Sequence, residues 1–342
     1  MLHPSRPRRG RFHHLRHAPL RVVAFSAAIA AGSAIAQAQT VPPQTAPAPT
    51  RPAPTQADTA AAAKAAASAA QEPAIDPYHE LETKYLFGFT TGADIGIEGE
   101  KSIEFETTAA FQKLHGTYRM IEQEFEFEGV PTQNFAYELS AHTLYNSIKG
   151  VDGLDNLNRT QFSGLSATLS YMLVARGPGS PFGLTVTMQP EWARIDGTSG
   201  RRTRDFSNTI KIIADTELVP NRLYAAANLS YDPEVDKAPG QHGWGRVSTL
   251  GASGALAYRV APKVTVGGEV EYYRTFDGLA FNSFAGHAVY VGPTMHIQFT
   301  GKTMLSLAFS TQVYGHAAGE SHSLDLTNFE RYHANAKLEF EF

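Results

Sequence analysis

The last twelve residues of the chain alternate. One set reads Tyr332, Ala334, Ala336, Leu338, Phe340, Phe342 and the other Arg331, His333, Asn335, Lys337, Glu339, Glu341. A period of two with one apolar and one charged face is the signature of a β-strand with different surroundings on its two sides. The pattern recurs from about Leu81 onward, in about twelve stretches at roughly twenty-residue spacing. Ile103, Phe105, Thr107, Ala109 and Phe111 form one apolar set, and Leu165, Ala167, Leu169, Tyr171 and Leu173 another. The stretch from Phe206 to Leu218 is less regular.

The links between these stretches alternate in length. Tight links are expected at Gly129–Thr132, Arg176–Pro181, Val219–Arg222, Val260–Lys263 and Thr300–Lys302. Longer polar links are expected at Asn146–Arg159, Asp196–Thr203, Asp232–Gly245, Phe276–Ser283 and His316–Leu324. Outer-membrane barrels have short periplasmic turns and longer external loops, with aromatic girdles at both interfaces. Here Tyr145, Trp192, Tyr231, Tyr272, Tyr314 and Tyr332 fall at long-loop ends, and Phe127, Phe135, Phe182, Tyr258, Phe299, Phe340 and Phe342 at short-turn ends. The sequence thus predicts an all-β fold: an antiparallel transmembrane β-barrel of about twelve strands in the bacterial outer membrane. An even strand number puts both termini on one side, expected to be the periplasm. The link Lys113–Gly116 breaks the rule, being short where a long loop is expected. Pro293 falls mid-strand, which predicts a bulge near Gly292–Pro293 because proline cannot donate to the ladder.

The N-terminal part differs in kind. Residues 1–38 read as a secretory signal, with Arg6, Arg8, Arg9, Arg11, Arg16 and Arg21 preceding an apolar run and an Ala36-Gln37-Ala38 cleavage site. Residues 39–80 are Pro-rich and then Ala-rich, predicting a disordered periplasmic tether. Residues 81–342 are the predicted barrel domain.

Composition narrows the function classes. The mean hydropathy is −0.25, as alternation requires, since the two faces of a barrel strand average out. The net charge of −4 gives no case for nucleic acid. The absence of cysteine excludes disulfides, thiolate metal sites and thiol nucleophiles.

The inward set is acidic. Glu104, Glu106, Glu124, Glu126 and Glu138 are expected at the short-turn ends of neighbouring strands, and closure adds Glu339 and Glu341, with Lys337 as a nearby partner; Glu269 and Glu271 line another strand. These are the candidate lumen-lining residues. Rings of carboxylates select cations, so the expected function is a passive or weakly selective channel for small polar or cationic solutes. A structural or surface-interaction barrel with a plugged lumen is the alternative, and an outer-membrane hydrolase a further one. No Ser–His pair is evident at outward positions, and His142, His296 and His333 are assigned to the lumen without a constraint that would join them in a metal site. No catalytic residue, metal or cofactor is expected. The expected partners are outer-membrane lipid, the barrel-assembly and periplasmic chaperone machinery, and small polar solutes.

A strand ending on Phe342 with Phe340 behind it resembles the closing strand of bacterial outer-membrane barrels, in which the terminal aromatic serves as the assembly signal. Tyr85-Leu86-Phe87-Gly88-Phe89, Thr91-Gly92-Ala93-Asp94 and Gly99-Glu100-Lys101 are similar to the opening of a group of uncharacterised proteobacterial outer-membrane barrel proteins, across about 85–342. That resemblance implies location and fold and assigns no functional residue.

Overall fold

A computed structural model describes residues 81–177 and 180–342. The expected signal at 1–38 and tether at 39–80 lie outside them. Twelve strands follow one another: β1 (Lys101–Phe111), β2 (Thr117–Thr132), β3 (Phe135–Lys149), β4 (Leu157–Val174), β5 (Phe182–Ile195), β6 (Arg202–Val219), β7 (Leu223–Lys237), β8 (Gly245–Ala261), β9 (Val264–Asp277), β10 (Phe284–Thr300), β11 (Thr303–Ala317) and β12 (Tyr332–Glu341). Each pairs antiparallel with the next, and β12 closes on β1, so the sheet is a complete barrel. Closure leaves no edge strand with unpaired backbone groups, which is what a sheet in hydrocarbon requires.

The register of closure separates the two faces. Ile103 pairs with Phe340 and Phe105 with Leu338, while Glu104 pairs with Glu339 and Glu106 with Lys337. The apolar rows point outward. Leu165, Trp192 and Phe206 are cross-strand neighbours on β4, β5 and β6, and all are exposed. An apolar exterior around a polar interior is the arrangement of a barrel whose outer solvent is lipid.

Most turns keep the expected alternation of length, but the link expected to be tight at Arg176–Pro181 does not: β4 ends at Val174 and β5 begins at Phe182, a gap as long as that between Lys149 and Leu157 on the long-loop side. Gly129 remains inside β2, and the tight turn falls at residues 133–134, because a register shift between Gly129 and Thr132 extends the pairing. The less regular stretch forms a full strand, β6. The short link between β1 and β2 turns through Gln112 at a φ of 67° and Gly116 at 71°. At Pro293 the register to β9 runs on unbroken, with Gly292 opposite Glu269 and Pro293 opposite Gly268. The bulge lies instead between Val289 and Tyr290. Proline is accommodated by a two-residue lapse in pairing to β11, where a Cβ on Gly292 would lie only 1.8 Å from the carbonyl oxygen of Phe309.

The twenty residues before the first strand form no strand of their own. This inner segment, residues 81–100, lies inside the barrel. Leu86 and Phe87 are each 1% exposed and pack with Leu81 against Tyr224 and Ala226 of β7 and Ala255 and Ala257 of β8. Ile95 packs on Val130, Ala136 and Met172. The segment rises from the short-turn end, bends near Phe89–Thr91, and returns to the start of β1. Its two limbs touch: the backbone N–H and the hydroxyl of Thr83 both donate to Asp94 at 3.2 Å. Gly92 is required there, since a Cβ would lie 2.2 Å from the carbonyl oxygen of Thr83.

Candidate functional site

Inward strand positions and the inner segment meet throughout the lumen. Near the short-turn end, Lys84 places its ammonium 2.6 Å from Glu128 and 2.7 Å from Glu138. The Tyr85 hydroxyl also donates to Glu128, at 3.1 Å. The carbonyl of Tyr85 accepts from Ser306, and His296 lies against both at 3.1 and 3.0 Å. At the bend, Glu269 accepts from the N–H groups of Phe89 and Thr90 at 3.1 and 2.9 Å. The Asn228 side chain takes both polar groups of Thr91, accepting from its N–H at 2.7 Å and donating to its carbonyl at 2.8 Å. Asp215 accepts from the N–H of Ala93 at 2.9 Å and from the Thr83 hydroxyl, and pairs with Arg176 at 3.0 Å. The bend needs glycine at 88, because a Cβ there would lie 2.3 Å from Glu269 Oε1 and 2.4 Å from Ala308.

The carboxylates singled out from the sequence fall into two groups. Glu104 and Glu106 of β1 share Lys337 at 3.4 and 2.8 Å, and Asn335 donates to Glu106 at 2.7 Å. Glu104 stands opposite Glu126, and Glu106 opposite Glu124. Glu126 accepts from Ser140 at 2.9 Å, Glu138 belongs to the Lys84 cluster, and Glu124 lies 3.8 Å from His142. Glu339 is buried with one oxygen, Oε2, lacking a hydrogen-bond partner, and Glu341 beyond it is half-buried. Glu269 and Glu271 stand apart on β9. Glu271 accepts from the Tyr273 hydroxyl at 2.8 Å and lies 3.1 Å from His333. Phe340 and Phe342 face outward, and the Phe342 N–H donates to the Lys101 carbonyl at 2.9 Å.

The three inward histidines occupy separate places. His142 lies 2.9 Å from the Ser166 hydroxyl and 3.7 Å from Glu122, fully buried. His333 lies between the rings of Phe89 and Tyr290, at centroid distances of 4.2 and 4.1 Å. Among the described residues, the groupings able to hold a metal are two carboxylate trios, Glu126–Glu128–Glu138 and Glu82–Glu339–Glu341. Lys84 projects into the first.

The segment after β11 covers the other end of the lumen. Gln312 accepts from the N–H of Asp325 at 2.7 Å and donates to the carbonyls of Asp325 and Glu330 at 3.1 and 3.0 Å. Tyr290 donates to the Glu330 carbonyl at 2.6 Å, and Lys113 pairs with Glu330 at 2.9 Å. Burial pushes the Asp325 carboxyl up to about 6, against the opposing effect of its bonds from Asn328.

Among the described residues, cavities are left inside the lumen. One of about 210 Å3 lies beneath this cover, lined by Phe329, Glu330, Tyr273, Tyr290, Asp232 and Asn228. Another, of about 200 Å3, is lined by Asp94, Glu104, Glu106, Glu124, Glu126, Glu128 and Glu138 against Lys84, Lys211 and Lys337, which is seven carboxylates to three ammonium groups. Phe89, Thr209 and Lys211 line both cavities. Sequence reasoning carried a plugged lumen only as the alternative, and it missed Lys84 and Phe89 and the segment that fills the barrel. Glu128 was legible, since it shares the parity of Glu124 and Glu126.

Residues 79–342 match the model of a family of unknown function, DUF6662. No protein of curated function matches the chain. Among solved structures, an outer-membrane channel from Pseudomonas putida F1 is 12% identical, with 73% of this chain and 97% of that one covered and a TM-score of 0.47. The β domain of the Bordetella autotransporter Brka is 12% identical over 72% and 100%, TM-score 0.47. The translocator domain of the autotransporter NalP from Neisseria meningitidis is 10% identical over 83% and 98%, TM-score 0.43. None of these assigns a role to this chain.

Proposed function

The chain belongs to that family of unknown function, DUF6662, and we propose that it is an outer-membrane channel for small polar or cationic solutes, held closed by its own inner segment. The observation that carries this reading is the pair of lumenal cavities meeting at Phe89, the one on the short-turn side lined by charged groups. One aromatic side chain at the bend of a non-strand segment stands where the two spaces join, so withdrawing the bend would make them continuous. A cavity wall of seven carboxylates and three ammonium groups favours cations. In this reading Glu104, Glu106, Glu124, Glu126, Glu138, Lys337, Glu339 and Glu341 tune passage near the periplasmic mouth, while Glu269 and Glu271 hold the closed state. Both termini lie in the periplasm. Phe340 and Phe342 close the barrel and are read by the assembly machinery.

Recordings in planar bilayers under a salt gradient test it. The expected reversal potential has the sign of cation preference, moving toward zero in Glu104→Gln/Glu106→Gln/Glu126→Gln. A folded barrel that shows no conductance steps, either intact or as Phe89→Ala, would sink the channel reading. In that case the closed lumen, with Leu86 and Phe87 fully packed inside it, favours a structural barrel.

A further inference from the structure

The outer surface of β5, β6 and β7 carries a cationic cluster at its long-loop end. Trp192, Phe206 and Val235 are cross-strand partners in one outward row. Two residues further along each strand, the same parity gives Arg194, Arg204 and Lys237, of which Arg204 and Lys237 are directly paired. Arg202 joins them across a register shift between Ala193 and Ile195. These four cations, with Trp192 and Phe206, border an external groove of about 550 Å3.

The charges there are sorted by face. Asp205, Glu234 and Asp236 alternate with the cations on the same strand ends, and all three are buried. Among the described residues, none of the four cations makes an ion pair, although Arg201 in the neighbouring loop pairs with Asp155. Like charges on neighbouring outward positions repel each other. An anion that joins them relieves that repulsion. Directly below the cluster is the apolar row of Trp192, Phe206 and Leu165, all exposed. A ligand that fits both layers has an anionic head and an apolar body. Arginine forks match phosphate oxygens bidentately.

We propose that this groove binds the phosphate of a lipid in the leaflet at the long-loop end, which in an outer membrane is a phosphorylated glycolipid. The inference rests on the membrane-barrel reading and is independent of whether the lumen conducts.

The protein's own fluorescence reads it out. The chain has two tryptophans: Trp192 lines the groove, and the Trp244 ring lies 6.2 Å from Phe206. The full-length barrel in detergent is titrated with lipid A, with dephosphorylated lipid A, and with inorganic phosphate alone. Lipid A is expected to shift the emission and to bind far more tightly than either of the others. Arg194→Gln/Arg204→Gln/Lys237→Gln is expected to weaken lipid A binding by roughly a hundredfold, at about tenfold or less per charge. That variant is expected to keep heat-modifiable migration and the conductance of the parent. Equal lipid A affinity in the folded triple variant overturns the proposal. So does equal affinity for the dephosphorylated lipid, or binding of inorganic phosphate as tight as that of lipid A. Loss of heat-modifiable migration in the parent itself would strike the membrane-barrel reading instead.

Discussion

The carboxylate of Glu269, on a strand of the wall, accepts a hydrogen bond from the backbone N–H of Thr90 at 2.9 Å. A second comes from Phe89 at 3.1 Å. A lumenal acid that reads from sequence as pore lining is engaged by the chain's own backbone at the bend of the inner segment. Losing bonds to a charged acceptor costs about 1.5–3 kcal/mol. Glu269→Ala is therefore expected to speed hydrogen exchange at Phe89 and Thr90 by at least about tenfold, while strand amides of β3 and β4 stay protected. Unchanged exchange at the bend would show that Glu269 does not hold it.

Lys84 is the second anchor. It is the cation shared by Glu128 and Glu138, and removing one partner of a buried pair leaves the remaining charges uncompensated, at about 3–5 kcal/mol. Lys84→Met is expected to release the segment's first limb, seen as faster proteolysis between residues 81 and 100. Adding Glu138→Gln should recover part of the protection. A double variant no better protected than Lys84→Met would count against this pairing.

The wall was legible in the sequence and its contents were not, for one physical reason. A strand between lipid and lumen must alternate, and that period survives without tertiary information. Even β6 follows this rule, although Asn208 interrupts its apolar set. The inner segment has no period because it faces wall on every side: Leu86 and Phe87 pack on β7 and β8, while neighbouring Lys84 and Tyr85 bond Glu128. The signal that was present is indirect. Inward carboxylates outnumber inward bases, and Glu269, Asp215 and Asn228 take backbone N–H donors that no strand supplies. Pro293 misled for a related reason, since its accommodation depends on how closely Gly292 lets Phe309 approach.

The loop after β11 is expected to respond to pH. Asp325 is fully buried, and burial raises its carboxyl to about 6 from an ordinary 3.8, with Lys113 opposing and Glu320 reinforcing the effect. A raised carboxyl binds more protons folded than unfolded at intermediate pH, so its contribution is full below the ordinary range and is lost as pH rises through about 6. Hydrogen exchange at the Asn328 amide, which donates to Asp325 at 2.8 Å, should quicken from about pH 4 to about pH 6 beyond its intrinsic rate and then level off. Asp325→Asn should flatten the profile. The same slope in that variant would assign the effect to another group.

Phe342 tests assembly apart from stability. Its ring is 59% exposed and its backbone adds one bond to Lys101, so deleting it should cost the refolded barrel about 1 kcal/mol. In cells the folded, heat-modifiable fraction should fall several-fold. An unchanged fraction in cells would leave Phe342 a strand residue with no part in recognition.

The central claim is that the inner segment closes a channel. The chain has no cysteine, so a thiol bridge can be placed cleanly between the segment and the wall. Thr91 and Asn228 are joined by two hydrogen bonds, at 2.7 and 2.8 Å, and Thr91→Cys/Asn228→Cys can be bridged there by oxidation or a short bis-thiol linker. Bilayer recordings of this one protein, bridged and then reduced, give the most direct test. The account predicts silence when bridged and cation-selective steps after release. Identical conductance in both states, with the bridge verified by mass, would contradict it.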